Sequence, residues 1–393
     1  MSKDATECCL GVTAPKGFRA AGVSAGIKAS GKPDFALVVN DGPRHDATAV
    51  FTSNRFYAAP VAWSRRAVHD GCLTAVALNS GGANACTGAQ GLADAEQTAA
   101  WAAEALGCVR CNIGVASTGL IGERLPMDAV QRGVGLATAA LSHDGGPAAA
   151  TAILTTDTVT KQASYISDAG WAIGGMAKGA GMLAPALATM LVVVTTDADL
   201  ESTDLTPALW AATGLSFDRA DSDGCMSTND SVFLLASGAS GVVPDEEEFT
   251  KALTTVCVDL ARQLIADAEG AEHEISVEVV GAASVEDALE VGRAVARSNL
   301  FKTAIAGNDP NWGRVLAAIG TTQAAFDPER VDVAFNGVGV FVQGAPGAPR
   351  SSVDLHPRAV TVTIDLHAGG HEATIWTNDL THGYVSENAD YSS

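Results

Sequence analysis

A chain of 393 residues with 47% apolar and 18% charged side chains has ample material for a core, which excludes a disordered chain. Its formal net charge of −21, from 45 acidic against 24 basic residues with no basic block, sets it against phosphate backbones and excludes nucleic acid as a partner. No run reaches the ~20 apolar residues of a membrane span, and the N-terminal MSKDATECCLGV has no long apolar h-region, so neither a membrane partner nor a secretory signal is expected.

In chain order, FALVVN (35–40), 49–52 and 74–79 are short β-branched runs closed by turn residues and predict strands. Alanine and leucine recur at helical spacing over 92–106 and again over 127–141, the second entered through Pro126 and ended before Gly145-Gly146-Pro147. Strands are predicted at 190–196 and 232–236. The acidic run Asp245-Glu246-Glu247-Glu248 suits the positive end of a helix dipole and opens a long helix through about Ala268. A strand (275–280), a helix (285–297) and a β-rich tail (331–377) follow. The expected class is α/β or α+β, with residues 1–245 as the main unit and 246–393 as a smaller α+β unit.

Several motifs point to chemistry that their surroundings do not support. Gly22-Val23-Ser24-Ala25-Gly26 has the G-x-S-x-G spacing of a nucleophile elbow, but no buried strand feeds it. Residues 26–32 (GIKASGK) have P-loop spacing, yet Pro33 stands where Ser or Thr would hold magnesium. His367-Ala-Gly-Gly-His371 reads as a hairpin turn, and Cys108-x-x-Cys111 lacks the second pair that zinc needs. Eight cysteines without framework spacing read as reduced thiols in a cytoplasmic protein. No metal is expected.

The stretch KGAGMLAPALATMLVVV (178–194) is different. Glycines and small residues lead to Ala188-Thr189, and an apolar strand follows at once. A threonine hydroxyl needs an adjacent base, and the α-amine of an N-terminal threonine is one solution. Thr189 gains that amine only when the 188–189 bond is broken. Flexible residues before the bond and a rigid strand after it are what an N-to-O acyl shift requires.

This stretch resembles the self-cleavage and nucleophile motif of the ornithine acetyltransferase family, the glutamate N-acetyltransferases of the arginine pathway. GVTAPKGFRAAGVSAGIK (11–28), NSGGANACTG (79–88), STGLIGERLP (117–126), TTDT (155–158), STND (227–230), KTAIAGNDPNWGR (302–314) and the final NADYSS (388–393) look like further family blocks, in family order.

The resemblance implies the αββα-type sandwich shared with self-cleaving aminopeptidases. It implies cleavage into fragments 1–188 and 189–393, two of each in the assembly, and no organic cofactor. Thr189 would be the nucleophile. Thr118 and Gly119 would stabilise the oxyanion, Gly119 through a backbone N–H that tolerates small substitutions. Thr155, Lys178, Thr189, Glu269, Asn388 and Ser393 would contact N-acetylornithine and glutamate. Lys178 suits a carboxylate and Glu269 an ammonium. Asn84, Asp157, Asn229 and Asp230 read as supports for backbone turns. Departures from the family pattern at Gly82, Cys225, Glu272-His273, Ala186-Leu187 and Ser392-Ser393 bear on specificity and leave the nucleophile in place. Two rival readings are a self-cleaving N-terminal-threonine amidohydrolase or aminopeptidase, and an uncleaved binding module.

Overall fold

The computed structural model describes residues 10–183 and 190–390. Among the described residues nine strands come first: β1 (Phe18–Val23), β2 (Phe35–Asn40), β3 (Asp46–Phe51), β4 (Ala75–Ser80), β5 (Ile113–Thr118), β6 (Lys161–Ile166), β7 (Ala172–Lys178), β8 (Leu191–Thr196) and β9 (Ser231–Ala236). They form two sheets, ordered β1-β2-β4-β5 and β3-β9-β8-β7-β6. Strands β2, β4, β5, β7, β8 and β9 are buried along their whole length. Away from their polar ends, their side chains are mostly apolar on both faces because each sheet has a packed layer on either side.

The inner faces meet in one core, which holds Val76 and Val115 of the first sheet together with Met176, Val193 and Phe233 of the second. Helices Ala59–Ala67, Gly88–Leu106 and Met127–Ala139 cover the first sheet's outer face. Helices Ser202–Gly214 and Glu246–Ala266 cover the second's. The layers therefore run helix, sheet, sheet, helix, the αββα sandwich that the family resemblance implies.

Six more strands follow: β10 (Glu274–Ala282), β11 (Asp332–Phe335), β12 (Val338–Val342), β13 (Ala345–Pro346), β14 (Ala359–Asp365) and β15 (His371–Asn378). They form a third sheet in the order β13-β12-β11-β14-β10-β15. Its buried positions alternate along β10 and β14, so one face takes the core contributed by helices Val285–Ala296 and Trp312–Ile319.

The structure departs from the sequence reading at several points. The long helix does start at the acidic run, with the Asp245 carboxylate accepting the N–H groups of Glu247 and Glu248. Its apolar face (Phe249, Leu253, Val256, Leu260, Leu264) lies in the core behind the second sheet, although the sequence reading counts it with the C-terminal unit. Residues 366–370 do turn, but β14 and β15 flank β10 instead of pairing, so no hairpin forms there. The segment with P-loop spacing wraps its amides around a carboxylate of its own chain: Asp34 accepts the N–H groups of Ala25, Gly26, Ile27 and Lys28 at 2.6–3.1 Å. Strands β1, β6 and β7 lack a β-branched run. In β7, a Cβ at Gly174 would fall 1.9 Å from the Gly11 carbonyl oxygen, so close backbone packing fixes the glycine that hides the strand.

Candidate active site

Strands β5 and β7 belong to different sheets, yet packing of the two sheets brings their C-terminal ends together. The end of β5 supplies Thr118 and Gly119, and the end of β7 supplies Lys178. A turn after helix Gly146–Ala152 adds Thr155. Glu269 follows the long helix, and Asn388 comes back from the third sheet on helix His382–Asp390. All six line one cleft. Ala188, Thr189 and Ser393 lie outside the described residues.

The Thr118 carbonyl accepts the N–H groups of Gly81 and Gly82 at 2.9 and 3.0 Å, which fixes the turn out of β5. Gly119 has φ +132°, and a Cβ there would sit 2.5 Å from the Gly82 nitrogen. The expectation that Gly119 tolerates small substitutions is therefore corrected: both backbone conformation and space reserve the position for glycine.

Lys178 is 1% exposed. Its ammonium donates to Thr155 Oγ1 at 2.7 Å and to Thr118 Oγ1 at 3.2 Å, and Asp157 Oδ2 stands 3.8 Å away. Its charge therefore reaches the cleft largely through two hydroxyls. Asp157 is the hub beneath them. It accepts Lys161 Nζ at 2.7 Å, Gly179 N–H at 2.6 Å and Thr155 N–H at 2.9 Å. Lys161 also pairs with Asp267 at 2.5 Å, just before the turn that carries Glu269. Burial pushes the Asp157 carboxyl up, but the ammonium groups of Lys178 and Lys161 outweigh it and hold that carboxyl well below the usual range. Burial pushes Lys178 down, against the pull of Asp157.

Glu269 is anchored by its N–H, which donates to the Ala180 carbonyl at 2.9 Å, and its carboxylate accepts Asn388 Nδ2 at 2.9 Å. Across the cleft, Asn229 donates to the carbonyls of Ala83 and Ser117 at 2.6 and 2.8 Å, tying the lead-in of β9 to the end of β5. Asp230 accepts the Met190 N–H at 3.0 Å. Met190 is the first described residue after position 189, and Leu191 next to it pairs with Lys178 on one side and Ser231 on the other.

Sequence reasoning missed Lys161 and Asp267. Lys161 opens a strand with no β-branched run, and Asp267 looks like an ordinary helix end. Only the fold makes them partners across 106 residues. Among the described residues, no three His, Cys, Asp or Glu side chains are grouped to hold a metal ion.

A family model, described as the ArgJ family, matches residues 19–393. A protein of Thermobifida fusca named arginine biosynthesis bifunctional protein ArgJ is 61% identical over 384 residues, covering 98% of this chain and 100% of that one. Its namesake from Streptomyces coelicolor is 60% identical with the same coverage. Among solved structures, an ornithine acetyltransferase of Mycobacterium tuberculosis complexed with ornithine aligns at 52% identity. That alignment covers 46% of this chain and 96% of that one, with a TM-score of 0.44.

Proposed function

Because this chain belongs to the ArgJ family, we propose that it is a self-processing ornithine acetyltransferase that moves an acetyl group from N-acetylornithine to glutamate. The observation that carries this reading is the convergence of Thr118, Gly119, Thr155, Lys178, Glu269 and Asn388, from both sheets and the C-terminal helix, on one cleft.

Maturation begins when Thr189 Oγ attacks the Ala188 carbonyl. The amide becomes an ester, water hydrolyses it, and fragments 1–188 and 189–393 result. The new α-amine of Thr189 then serves as base. In the first half-reaction Thr189 Oγ attacks the acetyl carbonyl of N-acetylornithine and the α-amine takes the hydroxyl proton. The oxyanion is met by the Thr118 hydroxyl and the Gly119 N–H. Collapse breaks the C–N bond, ornithine leaves with that proton, and acetyl-Thr189 remains. In the second half-reaction the glutamate amine attacks the ester, Thr189 Oγ recovers a proton, and N-acetylglutamate departs. Glu269, with Asn388 bonded to it, meets the donor's side-chain ammonium. Thr155, and Ser393 at the chain's end, complete the substrate contacts. The proposal includes an assembly of two of each fragment in the cytoplasm, checked by light scattering and cell fractionation.

Mass spectrometry of the purified protein tests the reading. Two fragments meeting between Ala188 and Thr189 are expected. N-acetylornithine alone adds one acetyl group to the fragment beginning at Thr189, and glutamate discharges it. An intact chain would favour a binding module. Discharge by water as fast as by glutamate would make the protein an amidohydrolase.

A further inference from the structure

We propose that Asp157 is a positioning residue for the Thr118 hydroxyl: it keeps the buried Lys178 side chain an ammonium, and the ammonium turns the Thr118 hydroxyl hydrogen toward the cleft. The inference rests on the reading of Thr118 as an oxyanion donor.

The geometry carries it. An ammonium has three hydrogens and no lone pair, so every hydroxyl it touches must accept. Lys178 Nζ faces Thr155 Oγ1 at 2.7 Å, Thr118 Oγ1 at 3.2 Å and Asp157 Oδ2 at 3.8 Å. The Thr155 hydrogen has Asp157 Oδ2 at 3.5 Å. Among the described residues the Thr118 hydrogen has no acceptor, and Thr118 lines the cleft. Its hydrogen is thus left for an oxyanion. A neutral lysine amine would offer a lone pair and draw that hydrogen inward. One proton on Lys178 therefore sets the direction of another on Thr118.

What holds that proton is the surrounding charge. Burial works against it, and Asp157 opposes burial. Lys161 and Lys28 face Lys178 as like charges, while Glu269 and Asp230 are its other facing carboxyls. Asp157 is fixed independently of Lys161 by the N–H groups of Gly179 and Thr155. Removing Lys161 therefore keeps two backbone donors on Asp157 and takes a like charge away from Lys178, while it also leaves Asp157 and Asp267 without their shared lysine. Asp157 and Lys161 act on Lys178 with opposite signs, which a merely structural pair would not do.

The chain has eight lysines, so ¹³Cε-lysine NMR can follow each one, with Lys178→Met assigning the signal of interest. The Lys178 titration midpoint should move down in Asp157→Asn and up in Lys161→Met. The basic limb of the kcat profile for acetyl transfer should follow each shift. Asp157→Asn should lower kcat roughly 10- to 100-fold, less than the full loss of an oxyanion donor, with KM within about twofold. In a Thr118→Val background Asp157→Asn should cost nothing further. Unmoved midpoints, shifts of the same sign, or additive losses would overturn the proposal. If Asp157→Asn does not fold, the direction of the Lys161→Met shift decides. If the wild-type protein transfers no acetyl group, the proposed function fails, while the two midpoints still test the charge relationship.

Discussion

Asp230 Oδ1 accepts the backbone N–H of Met190 at 3.0 Å across forty residues of sequence. The bond ties the residue next to the proposed nucleophile to the start of β9. The Asp230 side chain is fully buried, with the hydroxyls of Ser227 and Thr52 beside it. Burial pushes the carboxyl well above its usual range.

The sign of the resulting pH dependence follows from that direction. The folded state keeps the Asp230 proton after the unfolded chain has lost it, so stability falls as pH rises from the ordinary carboxylate pKa to the raised one. Asp230→Asn keeps an oxygen for Met190 and removes this slope, and urea midpoints measured across pH should flatten. Asp230→Ala leaves the Met190 N–H without its partner, costs about 1–3 kcal/mol and slows chain cleavage on denaturing gels. Equal stability of the Ala and wild-type proteins would remove the anchoring role.

Thr118→Ala is expected to slow acetyl transfer roughly 10²–10³-fold, the usual cost of one oxyanion donor. Thr118→Ser, which keeps the hydroxyl, should retain most of the rate. Self-cleavage should slow in the Ala variant as well, because one set of donors serves both reactions. Steady-state rates and the time course of fragment appearance check both, and an unchanged transfer rate in Thr118→Ala would take the residue out of this role.

Gly119→Ala should be more damaging than its size implies. The added Cβ meets the Gly82 nitrogen at 2.5 Å in a backbone conformation with φ +132°. Strain of this kind costs on the order of 1–3 kcal/mol, and relieving it moves the N–H that the oxyanion needs. A lower melting temperature together with lost transfer is expected. A variant that transfers acetyl at the wild-type rate would show that the turn adapts.

Glu269→Gln should separate donor from acceptor. The carboxylate faces the cleft and is oriented by Asn388. Its loss removes a charged hydrogen bond to the donor ammonium and should raise KM for N-acetylornithine about 10-fold. KM for glutamate, which has no side-chain ammonium, should stay nearly constant. A parallel rise for both substrates would assign Glu269 to the fold of the cleft wall.

What the sequence determined by itself is local. Asp245 and the three glutamates after it specify a helix start because they satisfy free N–H groups within one turn. FALVVN becomes a strand because an apolar β-branched run of that length has few other solutions. The family resemblance that the motifs carry was enough to name Thr118, Gly119, Thr155, Lys178, Glu269 and Asn388, which line one cleft. Tertiary structure alone decided the rest. Strand β7 is held by backbone contacts at Gly174 that leave no apolar pattern to read. The P-loop spacing at 26–32 proved to be a nest for Asp34, since which anion a ring of amides holds depends on what the fold delivers there. Lys178 has the same residue type whether it meets solvent or lies buried over Asp157. Only the packing of the two sheets put it out of water, beside an Asp157 carboxylate that also holds Lys161. Electrostatic coupling of this strength depends on burial and on distances of a few ångströms, and both arise only once the chain has folded.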